Sequence, residues 1–193
     1  MKTDKFNYHL PEQLIAQYPS ENRSDARLMV ALESIQHEVF KDIGAHFCSG
    51  DLLVLNQTSV IPARLFGEKS TGGKIEILLE RFLSDRQTLA QVGSSRPPKE
   101  GAQLIFSFAE ENFVATVRGR KENFFILEWS SDPQALFANH GQIPLPPYMN
   151  RAPEKIDKER YETIYANPEK KESVAAPTAG MHFDEPLLGE LKD

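Results

Sequence analysis

The feature that most constrains the fold is a run of short strand-like pieces from about Arg64 to Ser130. Six are legible: Arg64–Glu68, Lys74–Phe82, Thr88–Gly93, Gln103–Phe108, Phe113–Arg118 and Phe124–Trp129. Turn formers separate them at Thr71-Gly72-Gly73, Ser84-Asp85, Pro97 to Gly101, Glu110 to Asn112 and Gly119 to Asn123. Glycine, proline and short polar side chains end strands because they supply turn dihedrals or withhold a ladder donor. Short strands joined by polar turns predict a small antiparallel barrel or sandwich. Lys74-Ile75-Glu76-Ile77-Leu78 alternates, so that strand has one dry face and one wet face.

The flanks read as α/β. Leu10 to Tyr18 suggests a short helix, with Pro11 in the first turn and Pro19 ending it. Leu28 to Leu32 reads as a buried strand, followed by a weaker strand near His37 to Phe40 and a short helix before Ser49-Gly50. Asp51-Leu52-Leu53-Val54-Leu55-Asn56 is nearly continuous in apolar residues and reads as a second buried strand. Helical patterns return at Gln134 to Asn139 and Asp157 to Tyr165. A last helix begins with Asp184 as N-cap and Pro186 in its first turn. The expected architecture is an α/β body with an inserted small antiparallel β-barrel. The body occupies 1–63, the barrel 64–142, and the second part of the body, incomplete, 143–193.

Composition narrows the function. The chain has 193 residues, 40% hydrophobic and 26% charged, enough for a real core. No apolar run approaches the ~20 residues of a membrane span, and MKTDKFNYHL holds no apolar signal core. Cys48 is alone, which excludes a disulfide framework and a cysteine metal cluster. The expectation is a cytoplasmic protein. A net charge of −6 excludes a surface coated in positive charge but leaves room for local basic patches. Candidates are Arg64, Lys69 and Lys74; Arg96 and Lys99; and Arg118, Arg120 and Lys121. Each also reads as a solvated strand end or turn.

No dinucleotide or phosphate-loop glycine motif and no paired His at metal spacing is present. Four segments could carry chemistry. In SVAAPTAGMHFDEP, small residues admit a ligand to the backbone, the helix start behind them favours an anion, and His182 can move a proton near neutral pH. The alternative there is a tightly packed turn. Asn56 to Arg64 leaves a strand end, where open α/β sheets bind ligands, and offers Asn56, Thr58 and Arg64; it also reads as a polar linker. Pro144 to Arg151 is stiff and presents Tyr148 and Arg151 for stacking or phosphate contact, or is a proline-rich linker. Arg23-Ser24-Asp25-Ala26-Arg27 reads first as a surface salt-bridge loop.

Taken in order, FNYHLPEQLIAQYP, RSDARLMV, GDLLVLNQTSVIPARLFGEKSTGGKIEILL, GQIPLPPYMNR, DKERYETIYA and SVAAPTAGMHFDEPLL resemble the S-adenosylmethionine:tRNA ribosyltransferase-isomerase family of queuosine biosynthesis. The resemblance covers most of the chain outside Gln87–Asn139. It implies transfer and isomerisation of the ribosyl part of S-adenosylmethionine onto 7-aminomethyl-7-deazaguanine at the tRNA wobble position. Epoxyqueuosine forms, and adenine and methionine leave. S-adenosylmethionine is then a consumed substrate, and no cofactor is implied. By the same resemblance His182 and Thr178 are catalytic. Asn56, Thr58, Arg64, Ala179, Gly180 and Phe183 face the small substrate, and Tyr148, Arg151, Lys74, Arg118 and Arg120 face the tRNA. Family members run to about twice this length, and NPEKKESVAAP departs from their shorter approach to the loop. The resemblance thus implies apolar surface near Leu28–Leu32 and Leu52–Leu55, to be covered by another copy or a complementing C-terminal chain or left poorly covered. Two other readings stay open: a non-catalytic tRNA-binding or interaction module of the same family, and a barrel that binds a small anion.

Overall fold

The computed structural model describes residues 2–146, 148–169 and 176–192. It divides into two compact units. One comprises Met1–Asp51, Leu145–Ala152 and His182–Asp193; the other comprises Leu52–Pro144 and Pro153–Met181.

The second unit is built on a closed antiparallel barrel of six strands in the order β3-β4-β5-β8-β7-β6. The strands are β3 Arg64–Lys69, β4 Lys74–Phe82, β5 Gln87–Ser94, β6 Gln103–Phe108, β7 Glu111–Lys121 and β8 Phe124–Trp129. All six expected pieces are present. Alternation carries the fold: Ile75, Ile77 and Leu79 of β4 and Phe125, Leu127 and Trp129 of β8 point inward and are buried. The core buries one polar pair, Trp129 Nε1 donating to Thr88 Oγ1 at 2.9 Å, so neither group is stranded in apolar surroundings.

β7 is longer than expected at both ends. Glu111 and Asn112 belong to it, and the reversal falls at Ala109, whose φ is +52°. Gly119 lies within β7 at a register shift, with φ +143°, so it marks a bulge and not the turn.

Helix α1, Pro133–His140, follows the barrel. Asp132 caps it by accepting from Gln134 N at 2.8 Å, with Pro133 in the first turn. It lies against the rim where β4 and β6 end. Phe137 meets Phe82 edge-on, and the His140 ring stacks on Phe108 at 4.3 Å. Leu136 and Phe137 complete the barrel core. The chain then returns to the barrel's start, where Arg64 N donates to Gln142 O at 3.1 Å and Gln142 N to Arg64 O at 2.8 Å.

The expected polar helix at Asp157 to Tyr165 is shorter, α2 Lys155–Arg160, with a capping box between Glu154 and Asp157. The segment after Tyr161 is held by tertiary contacts described below. The expected buried strand at 51–56 is corrected: no strand forms there, and Leu52 and Val54 are 86% and 81% exposed. An extended apolar segment becomes a strand only beside a partner, and among the described residues none pairs with it.

In the first unit, β1 Arg27–Ala31 and β2 Ile35–Val39 form a two-stranded antiparallel sheet. β1 was expected to be buried. It is half exposed, with Met29 at 61%, because its described strand partner is β2 alone and one hairpin covers little. The helix expected at Leu10 to Tyr18 is a single 3-10 turn, Glu12–Leu14, with exposed Leu14 and Tyr18, so it lacks the packing that stabilises short helices. The short helix before Ser49 is a 3-10 segment, Phe40–His46. Helix α3, Glu185–Glu190, has Asp184 as N-cap and Pro186 in its first turn, as the sequence indicated.

Candidate functional site

Two of the segments singled out in the sequence meet in the second unit, on a strip that the sequence left without a role. That strip is Glu162–Asn167, beyond α2. Gln57 O accepts from Asn167 N at 2.8 Å, and Thr58 pairs with Asn167 in an isolated parallel bridge. The Ser59 hydroxyl, buried, donates to the Glu162 carboxylate. Asn56 Oδ1 turns back to accept from Thr58 N at 3.0 Å and Thr58 Oγ1 at 2.8 Å. Asn56 and Thr58 thus satisfy one another locally, the Asx-turn habit of such residues.

The Thr178–Gly180 turn reaches the same strip through Gly180. Thr178 and Ala179 are exposed and Gly180 is buried, with Gly180 N donating to Pro177 O at 2.8 Å. A Cβ on Gly180 would lie 2.1 Å from the Tyr165 hydroxyl and 3.0 Å from Thr163 Cγ2. The missing side chain is therefore occupied by Tyr165. Burial pushes the Tyr165 phenol above its ordinary value, so it stays protonated and able to donate. Thr163 is 4% exposed, and its hydroxyl has no hydrogen-bond partner among the described residues. The part of SVAAPTAG from Ser173 to Ala175 lies outside the described residues.

His182 and Phe183 fall in the first unit, where both pack on Phe40. The His182 ring centroid is 5.3 Å from that of Phe40, and Phe183 meets Phe40 edge-on at 5.0 Å. The free helix N–H groups expected to face an anion are partly taken. α3 has six residues, and Leu187 N donates to Asp184 Oδ1 at 3.0 Å. The Asp184 carboxyl is held below the usual carboxylate range, chiefly by the Ser24 hydroxyl, with backbone N–H donors adding to it and burial opposing. The Arg23 to Arg27 stretch therefore contributes the Ser24 hydroxyl to this end of the chain.

The cations singled out in the sequence, Arg64 for the small substrate and the others for RNA, divide into committed and uncommitted groups. Arg64 opens β3 and pairs with Glu76 at 2.9 Å. Arg118 pairs with Glu128 at 2.5 Å on the barrel wall. Arg151 donates from Nε to Gln17 O at 2.7 Å and lies 4.4 Å over the Tyr18 ring, tying 145–152 to the N-terminal segment within the first unit. Tyr148 is 55% exposed. Lys74 is exposed at the start of β4, and Arg120 lies 4.2 Å over Phe125. Among the described residues no three His, Cys, Asp or Glu side chains cluster as metal ligands would, and no helix is long and apolar enough to cross a membrane.

The sequence pattern of the family described as "Queuosine biosynthesis protein" matches residues 3–193. The chain belongs to that family. Its curated relatives include an S-adenosylmethionine:tRNA ribosyltransferase-isomerase of Acinetobacter baumannii (strain AYE), 48% identical over 99% of this chain and 55% of the relative. Another, of the same name, is from Vesicomyosocius okutanii, 47% identical over 100% of this chain and 55% of the relative. A solved S-adenosylmethionine tRNA ribosyltransferase from Thermotoga maritima is 31% identical, with a TM-score of 0.38, over 97% of this chain and 54% of that one. The chain spans about half the length of the curated relatives it matches.

Sequence reasoning missed Glu162, Thr163 and Tyr165 as parts of the candidate site. The signal available was DKERYETIYA, which carried the family resemblance but suggested only a polar helix. The partners Glu76 and Glu128 were hidden because strand register, not sequence distance, brings them diagonally across from Arg64 and Arg118.

Proposed function

We propose that this chain takes part in transferring and isomerising the ribosyl moiety of S-adenosylmethionine onto 7-aminomethyl-7-deazaguanine in tRNA, with release of adenine and methionine. One observation carries the reading: 48% identity, sustained over 99% of the chain, to a relative that bears this activity in its name. The meeting of 56–59, 162–167 and 178–180 on one strip supports it, because it gathers hydroxyls, amides and a carboxylate where a sugar could be held.

The chemistry asks for a base at the carbon beside the positive sulfur, for assistance to departing adenine, and for fixed donors on the sugar oxygens and the methionine carboxylate. In this reading His182 transfers a proton or positions the sugar, with Thr178 beside it in sequence. Asn56, Thr58, Arg64, Ala179, Gly180 and Phe183 contact S-adenosylmethionine; Tyr148, Arg151, Lys74, Arg118 and Arg120 contact tRNA. The residues outside 64–142 belong to an α/β body. The exposed Leu52 and Val54 support a body whose apolar surface is covered from elsewhere. A complementing C-terminal chain or a second copy would cover it, and the protein works in the cytoplasm.

A second reading is a tRNA-binding or interaction module of the same family without catalysis, supported by the cations Lys74, Arg96, Lys99 and Lys121, which form no ion pair among the described residues. One assay separates the two. The purified chain is mixed with S-adenosylmethionine and an anticodon stem-loop bearing the aminomethyl-deazaguanine, and adenine release and RNA mass are followed. Adenine release with the ribosyl mass gain is expected, and replacing His182 by Ala should lower the rate by ~10²–10⁴. An unchanged rate in that variant removes His182 from the mechanism. RNA binding with no adenine release, with or without a relative's C-terminal half, favours the module.

A further inference from the structure

The barrel sorts its charges between its two rims. In a closed antiparallel barrel of this order, the β3–β4, β5–β6 and β7–β8 connections share one rim. The β4–β5 and β6–β7 connections share the other, where the chain also enters at Arg64, leaves after Trp129 and is covered by α1. The first rim carries Lys69, Lys74, Arg96, Lys99, Arg120 and Lys121 against Glu68, Glu100 and Glu122. The turns of the second carry Arg81 and Arg86 against Glu80, Asp85, Glu110 and Glu111, with Asp132 just beyond.

Pairing sharpens the contrast. The other arginines of the barrel have partners: Arg64 with Glu76, Arg81 with Glu80, Arg118 with Glu128, and Arg86 donating to Ser130 O. None of the six first-rim cations forms an ion pair among the described residues. Yet the turns that carry them are ordered. Lys69 Nζ donates to Arg96 O at 3.0 Å and Ser94 Oγ donates to the same carbonyl at 2.8 Å, which ties two of the three connections together. Left-handed residues Gly72, Gly101 and Glu122 keep the reversals tight. On a chain of net charge −6, this rim concentrates uncompensated positive charge on a rigid edge. Six strands about 4.8 Å apart give a perimeter of roughly 30 Å, and the cations are distributed around it on three separate connections. That spread suits a polyanion with regularly repeated charge and not a single small anion.

We infer that this rim, opposite α1, is the docking surface for the phosphate backbone of RNA, with Lys74, Arg96, Lys99, Arg120 and Lys121 as its contacts. The inference rests on the proposed tRNA substrate. It relieves Arg118, bound to Glu128, of a direct role and adds Arg96, Lys99 and Lys121. The test is fluorescence anisotropy of the full chain with an unmodified anticodon stem-loop over a salt series. The variants are Lys74→Gln/Arg96→Gln/Lys121→Gln, the corresponding triple to Glu, and Arg81→Glu on the opposite rim. Each lost phosphate contact takes ~1 from the slope of log affinity against log salt, so the Gln triple should lose ~2–3 of slope and roughly tenfold or more in affinity. Arg81→Glu should change affinity by less than about twofold, since it lies off the surface. Should the Glu triple melt early, the Gln triple decides. If the wild type binds and the Gln triple keeps its slope, or Arg81→Glu costs as much, the rim is not the docking surface and the tRNA reading survives. If the wild type binds no RNA even at low salt, both fall.

Discussion

Gly141 offers a clean test of how the barrel is closed at the point where the chain enters and leaves. It follows α1 at φ −65° and ψ 150°, dihedrals that alanine adopts freely, so Gly141→Ala carries no backbone penalty. Its cost is steric. A Cβ there would lie 1.9 Å from Pro62 O, 2.4 Å from Phe137 O and 2.9 Å from Pro62 C. All three are backbone atoms, fixed on one side by α1 and on the other by the segment leading into β3. Relief requires parting the two, which breaks the paired Arg64–Gln142 hydrogen bonds of 3.1 and 2.8 Å. Two such bonds contribute about 1 kcal/mol each, and the overpacking adds about 1–3 kcal/mol. The sum is ~3–5 kcal/mol, and at roughly 2–4 °C per kcal/mol for a chain of this size the melting point should fall by about 6–20 °C. The matched control is Gly93→Ala in the same barrel, where a Cβ meets only Glu76 at 3.7 Å; it should melt within a degree or two of wild type, at roughly ±0.5 kcal/mol. Thermal melts followed by near-ultraviolet circular dichroism report on Trp129 at this end of the barrel. A Gly141→Ala protein that melts like the Gly93→Ala control would refute the claim that this contact closes the barrel.

Two further outcomes are expected. Gly180→Ala should destabilise by about 1–3 kcal/mol through its 2.1 Å approach to the Tyr165 hydroxyl, and Tyr165→Phe should relieve part of that cost; strict additivity in the double-mutant cycle would show that the two residues do not touch. Asp184 is held below its unfolded value, chiefly by Ser24, so it contributes stability above about pH 4 that is lost as pH falls through its folded value. The difference in urea midpoint between wild type and Ser24→Ala should therefore be full near pH 6 and shrink as pH falls below the ordinary carboxylate range and through the lowered folded value of Asp184; a difference that stays constant with pH rules out the Ser24–Asp184 bond as its source.

What the sequence determined by itself was the barrel's strand content and the local ends of helices. Alternation at Lys74 to Leu78 and the turn residues at Thr71 to Gly73 act over a few neighbours, so they survive without tertiary context. The Asp184 cap and the Pro186 start were legible for the same reason. Where the local signal misled, the missing term was a partner. The run from Leu52 to Leu55 has the composition of a buried strand, but a strand is a pairing, and no described segment supplies one. Pairing also decided the fate of the arginines. Register alone brought Glu76, opposite Phe66, within reach of Arg64 and Glu128, opposite Thr116, within reach of Arg118, while barrel closure put Lys74, Arg96 and Lys121 on one rim with no ion pair among the described residues. The candidate site followed the same rule. Gly180 looked like room for a ligand, yet only the folded chain put the Tyr165 ring into that room and set Ser59 against Glu162, contacts between residues far apart in sequence that no local pattern encodes.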